Sequence, residues 1–367
     1  MMSSSSAKRT QQLLLRAFQD PKSLESIEIH EWDILIRCVR SSKLLASLGK
    51  IVVLNCSELM LPEKVMEHFR AAQQLVDYRQ QLTMWELNRL NNALSEIGVD
   101  IVVLKGGAYI LLGLQMATGR LLSDIDILVA KKDIELVEKH LLNQGWEVTQ
   151  LDEYDQQYYR NWMHEIPALK HRDRFIEVDI HHTILPLTSR LHPNPQLLLA
   201  DAITVENSDY KVLAPCDMVL HSAVHLFYDA ELNASDFRDL LDLHELISLF
   251  SLQNADFWVI LDKRAEELGL RRPLYYALYF SKQLLHTKVP VDLLLDNKGR
   301  PSNGIRVLME YCVPLALLPE HPDYPEKKVA FIRWLLYIRS HYLRMRLSLL
   351  IPHLLKKSKK RLQPVTN

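Results

Sequence analysis

The run Asp124-Ile125-Asp126-Ile127-Leu128-Val129 places two carboxylates at the start of an apolar, β-branched segment. Strand side chains alternate between faces, so Asp124 and Asp126 share one face while Ile125 and Ile127 share the other. A later run, Ile176-Glu177-Val178-Asp179-Ile180-His181, has the same character, with Glu177, Asp179 and His181 on one face. If the two strands are neighbours, three or four carboxylates meet at one spot. Like charges held this close repel, and burial worsens the repulsion. A cation relieves it, and an all-oxygen ligand set favours a hard ion such as Mg²⁺ or Mn²⁺. Two such ions can clamp the attacking and leaving oxygens of a displacement at phosphorus. These residues therefore suit the handling of a metal-bound triphosphate.

Upstream, "VDIVVLKGGAYILLG" reads as a short strand, a tight turn at Gly106 and Gly107, and a helix. Glycines there let the backbone approach phosphate oxygens, and the helix start offers free N–H groups and a positive dipole end. The GxxxxGK[ST] pattern is absent, so this is not a P-loop. Lys105 and Arg120 flank the two elements and suit phosphate oxygens. His181 can order a metal site, contact a base or serve as a hydrogen-bonded core residue. His164 and Glu165 open a β-hairpin formed by "HEIPALK", "HRD" and "RFIEVDIHH". His221 and His225 share a helix face but lack a third ligand and an HExxH pattern, so a cleft-lining or structural place is expected rather than zinc. Asp239 and Asp242 are expected to be solvated or paired with Arg238, with a nucleotide contact for Asp239 as the alternative.

The order strand, Gly-Gly, helix, D-x-D strand, then a third Asp on a later strand resembles the nucleotidyltransferase superfamily typified by DNA polymerase β. More narrowly, "VVLKGGAYILLG", Arg120, "SDIDILV", His164 and "EVDIHH" resemble the bacterial family of uncharacterised nucleotidyltransferases, over roughly residues 28–290. The gap from Gly107 to Asp124 is longer than in the shortest superfamily members. The resemblance implies that Asp124 and Asp126 hold both Mg²⁺ ions and that Asp179 holds the catalytic ion and helps activate an acceptor hydroxyl. It also implies nucleotide contacts from Lys105, Gly106, Gly107, Arg120 and His181. The implied reaction moves a nucleoside monophosphate from a nucleoside triphosphate to a hydroxyl of a protein, an RNA or a small molecule, releasing pyrophosphate. The rival is a catalytically inactive module that binds nucleotide or a partner.

These residues must be positioned by a chain of 367 residues that is 48% hydrophobic and 24% charged, with a net charge of −1. That is globular composition, and its charge singles out no partner. Periodicity places a polar segment leading into a short helix at 1–27, a helical region at 28–98, an α/β core at 99–190, a helical domain at 191–295 and a basic helical region at 296–367. The segment after Pro186 reads as loop, and "DNKGRPSNG" as a linker. The expected fold is α+β: a small mixed sheet of the polymerase-β nucleotidyltransferase type between helical flanks. Cys38, Cys56, Cys216 and Cys312 show no metal spacing and read as reduced thiols of a cytoplasmic protein. The N-terminus lacks a secretory apolar stretch, and no run reaches the roughly 18 apolar residues of a membrane span. From Phe331 to Asn367 there are nine Lys or Arg and no acid. Such a segment suits RNA or the inner face of a membrane, or is a helix docked on the body with a solvated basic tail.

Overall fold

The computed structural model describes residues 2–55, 61–150, 152–295, 298–346 and 348–350. Four helices come first: α1 (Met2–Gln19), α2 (Ile29–Ser41), α3 (Leu45–Asn55) and α4 (Glu63–Ser95). The central region runs β1 (Val102–Val103), α5 (Lys105–Leu111), β2 (Asp124–Leu128), α6 (Ile134–Asn143), β3 (Trp146–Val148), α7 (Glu153–Trp162), β4 (Leu169–His171) and β5 (Glu177–His181). Then follow α8 (Pro195–Ala200), β6 (Ile203–Thr204), β7 (Lys211–Val212) and α9 (Pro215–Val224), which passes into a π turn at His225–Asp229. The remaining helices are α10 (Phe237–Gln253), α11 (Phe257–Glu267), α12 (Arg271–Leu285), α13 (Asp292–Leu295), α14 (Asn303–Leu317) and α15 (Lys327–Arg344).

The α+β class is as expected. The strands form one mixed seven-stranded sheet in the order β3-β4-β5-β2-β1-β7-β6. β2 and β5 pair in parallel, as do β1 and β7, while the other pairs are antiparallel. Alternation decides which way the central strands face: Ile125, Ile127, Val178 and Ile180 are wholly buried, which turns the acidic positions to the other side. The sheet and its flanking helices share one continuous apolar cluster, from Leu13 to Leu336.

Several elements differ from the sequence-based expectation. Residues 1–27 are not a polar tail with a short helix: α1 is 18 residues long and buries Leu13, Leu14 and Ala17. Among the described residues the helical region at 28–98 is three helices, with α2 and α3 broken apart around Ser42 to Leu44, where Lys43 has φ 58°. α7 lies where no helix was expected; its signal was Asp152, whose side chain caps the Asp155 N–H. β6 and β7 extend the sheet from a segment that reads as loop, because two-residue strands are too short to show alternation.

The three arginines of α15 are turned inward, while Lys327 and Lys328 at its start are exposed. Arg333 pairs with Glu320 at 2.8 Å, Arg339 donates to the Phe227 carbonyl and Arg344 reaches Asp229 at 3.6 Å, while Phe331 and Trp334 are exposed. The basic tail at 351–367 lies outside the described residues. Among the described residues no helix is long and apolar enough to cross a membrane, and Cys38, Cys216 and Cys312 are free and buried.

Candidate functional site

The parallel β2–β5 ladder sets Asp124 opposite Glu177 and Asp126 opposite Asp179. Registered residues of neighbouring strands point to the same side, so the acidic positions of both strands share one face. The backbone then attaches the lysine-glycine turn to this face: the Leu104 N–H donates to the Asp126 carbonyl at 2.9 Å. Lys105 begins α5 at φ 44°, a left-handed conformation that costs a non-glycine residue roughly 1–2 kcal/mol. Its Nζ donates to Asp126 Oδ1 at 2.9 Å. Backbone strain held beside a buried ion pair is a mark of functional positions.

Asp126 is buried, and the same Oδ1 lies 3.0 Å from His181 Nε2. Burial works to raise its pKa, but Lys105 and His181 outweigh it and hold the carboxyl well below its usual range. Asp124 is more open and accepts a hydrogen bond from Ser123 Oγ at 3.1 Å. Asp179 accepts no hydrogen bond from another described residue, and burial together with Asp126 and Asp124 pushes it up to about 7. Glu165 is likewise raised well above its ordinary value by burial and by Asp179. His164 and His181 are buried neutral; burial lowers His164 to about 3. Burial and the neighbouring carboxylates thus set Asp179 and Glu165 apart from Asp126, which has its own cation.

Glu165 and His164 reach the face through an isolated bridge between Glu165 and His181. Donor atoms of His164, Glu165 and His181 all lie within 4.8 Å of one another. Among the described residues this is the one such group; the three aspartates share a face without gathering to that distance. The sequence placed His164 and Glu165 at the hairpin but did not show that they would close on His181.

Gly106 and Gly107 lie buried in the first turn of α5 rather than in an open turn. A Cβ on Gly106 would stand 2.2 Å from Leu122 Cδ2, and one on Gly107 would stand 2.8 Å from Val103 Cγ1. At both positions close side-chain packing leaves little room for a Cβ. Arg120 is also elsewhere than expected. It is buried, pairs with Asp242, lies 3.5 Å from Asp239 and stands over the Tyr109 ring. Asp239 and Asp242 are therefore buried partners of Arg120 rather than solvated acids, with Arg238 a more distant neighbour of Asp239 at 3.7 Å. His225 approaches Asp239 at 3.5 Å, and His221 is buried beside Lys105. The two histidines thus serve different neighbours. Asp229, in the π turn, went unremarked in the sequence; it is held low, against its burial, by His164 and Arg344.

No curated protein matches the chain. A solved structure, an antigenic nucleotidyltransferase-like protein from Paracoccidioides brasiliensis, is similar at 15% identity and a TM-score of 0.31, covering 61% of this chain and 97% of its own. The profile of a family described as uncharacterised nucleotidyltransferase matches residues 29–286, well over half of the chain and all of the site above. The chain belongs to that family of uncharacterised nucleotidyltransferases.

Proposed function

We propose that the chain transfers a nucleoside monophosphate from a nucleoside triphosphate to a hydroxyl, with β1, α5, β2 and β5 as a polymerase-β-type core. The observation that carries this reading is the pairing of Asp126 with Asp179 in a parallel ladder, with Asp124 on the same face and Lys105 bonded to it. The residues fit a hard divalent cation: they offer carboxylate oxygens, and burial together with the adjacent Asp126 and Asp124 raises the proton affinity of Asp179, a cost that a cation would relieve. Asp124, Asp126 and Asp179 would hold Mg²⁺ or Mn²⁺, which would supply charge neutralisation for the triphosphate.

The chain's own groups do the positioning. Lys105 and His181 fix the orientation of Asp126 and bring N–H donors to the face. Gly106, Gly107 and Arg120 shape the surroundings by packing and ion pairing. The acceptor oxygen bonds to the α-phosphorus, the bond from that phosphorus to the bridging oxygen breaks, and pyrophosphate leaves. The hydroxyl proton passes to a carboxylate, and Asp179 is the one without a side-chain donor among the described residues, Asp126 being engaged by Lys105 and His181 and Asp124 by Ser123. Most of the acceleration would come from placement and electrostatics. Pyrophosphate release with each of four nucleoside triphosphates and Mg²⁺ or Mn²⁺, in an extract containing protein, RNA and small-molecule hydroxyls, tests this. Release is expected from the wild type and at background level from the Asp124→Ala/Asp126→Ala variant. Equal release from both would refute the reading.

A second reading is a nucleotide-binding module without turnover. What favours it is that Lys105 and His181 already occupy Asp126 Oδ1 and that the aspartates do not close around one point. Metal-dependent nucleotide binding with no pyrophosphate from any of the four nucleotides is its signature.

A further inference from the structure

We propose that His164, Glu165 and His181 form a binding site for one transition-metal ion of the Zn²⁺ class, separate from the hard-cation carboxylate face. The site is built by backbone. The Ile166 N–H donates to the Ile180 carbonyl at 3.1 Å and the His182 N–H to the His164 carbonyl at 2.8 Å, fastening residues 164–166 to β5. The two imidazoles are brought within 5.0 Å, centroid to centroid, and both are buried. Their Nε2 atoms face the same oxygen: Glu165 Oε2 lies 3.3 Å from His181 Nε2 and 3.8 Å from His164 Nε2. Asp126 lies outside this group; its Oδ1 is 3.0 Å from His181 Nε2 and is held by Lys105.

His181 Nε2 lies between two carboxyl groups, 3.0 Å from Asp126 and 3.3 Å from Glu165. Zn²⁺ bonds of about 2.0–2.2 Å in tetrahedral array place ligand atoms about 3.3 Å apart, close to the spacing found here. Two imidazoles with a carboxylate suit a borderline ion rather than Mg²⁺, which prefers oxygen and keeps its water. The neighbouring cations have their own counterions, Lys105 on Asp126 and Arg344 on Asp229. An ion here would lock His181 and, through it, the orientation of Asp126. The site stands independently of nucleotidyl transfer.

Co²⁺ titration of the chelator-stripped full chain tests it, read by visible ligand-field absorption and by paramagnetically shifted imidazole resonances. The expected result is one equivalent with intense bands, displaced by Zn²⁺ but not by excess Mg²⁺, and two shifted imidazole signals. The bands are expected to disappear in Glu165→Gln and His164→Gln, with folding checked by circular dichroism, and to persist in Asp124→Asn and Asp179→Asn. Absence of bands or of two shifted imidazoles in the wild type would overturn the proposal, even if both histidine-site variants fail to fold. So would bands that survive in folded Glu165→Gln and His164→Gln, or that vanish in Asp124→Asn. Pyrophosphate release is not the readout, so failure here and failure of the transfer reaction are told apart.

Discussion

Gly106 shows how a residue can be legible in type yet misleading in reason. Its neighbours Lys105 and Asp126 have the opposite charges that their types announce, and they meet at 2.9 Å. The glycine itself is required by Leu122, a residue sixteen positions on whose proximity no local pattern reveals. Alanine would gain about 1 kcal/mol from helix propensity. Overpacking a buried side chain at 2.2 Å costs roughly 1–3 kcal/mol. The clash should win, so Gly106→Ala is expected to lower unfolding free energy by on the order of 1 kcal/mol in urea denaturation. An unchanged or higher midpoint would mean that Leu122 swings aside freely and that the glycine serves the open face after all. The same contrast runs through the site. Asp124, Asp126 and Asp179 were readable because a period of two marks strand faces, whereas the closure of His164 and Glu165 on His181 depends on a bridge between segments and has no periodic signal.

At the scale of elements, the strands that hold the carboxylates were readable and the connections that brace them were not. β2 and β5 are apolar and alternating; β6, β7 and α7 are short or polar, and their places come from pairing and capping. The brace between the central region and the C-terminal helices is Arg120, which leaves the segment before β2 to meet Asp239 and Asp242 on α10. Removing one member of a buried ion pair leaves the other charged and unsolvated, at about 3–5 kcal/mol. Arg120→Met is therefore expected to lose about that much. Arg120→Met combined with Asp239→Asn and Asp242→Leu should recover most of it, because an apolar replacement removes the orphaned charges together with the cation. Chemical denaturation of the three chains, wild type included, decides this. A triple variant no more stable than Arg120→Met would show that the arginine acts through shape, by its contact with Tyr109, rather than through charge.

At the scale of the whole molecule, one apolar cluster joins segments that composition alone separates. The first twenty residues look dispensable because they open on serines and polar residues. Yet Leu14 and Ala17 are wholly buried, Gln19 Nε2 donates to the Leu284 carbonyl at 2.7 Å, and the Phe18 ring meets Phe237 edge-on at 6.0 Å. Burying each large aliphatic side chain is worth about 1.5–3 kcal/mol. Two leucines and a half-buried phenylalanine thus account for a large share of the roughly 5–15 kcal/mol that stabilises a folded domain. Phe237 also opens α10, the helix whose Asp239 and Asp242 hold Arg120. Loss of α1 should therefore reach the site as well as the core. A chain lacking residues 1–20 is expected to melt at a lower temperature, to bind a hydrophobic dye at 25 °C and to lose pyrophosphate release along with cooperative unfolding. A truncated chain that melts and turns over like the full one would mean that α1 packs on a core already complete without it.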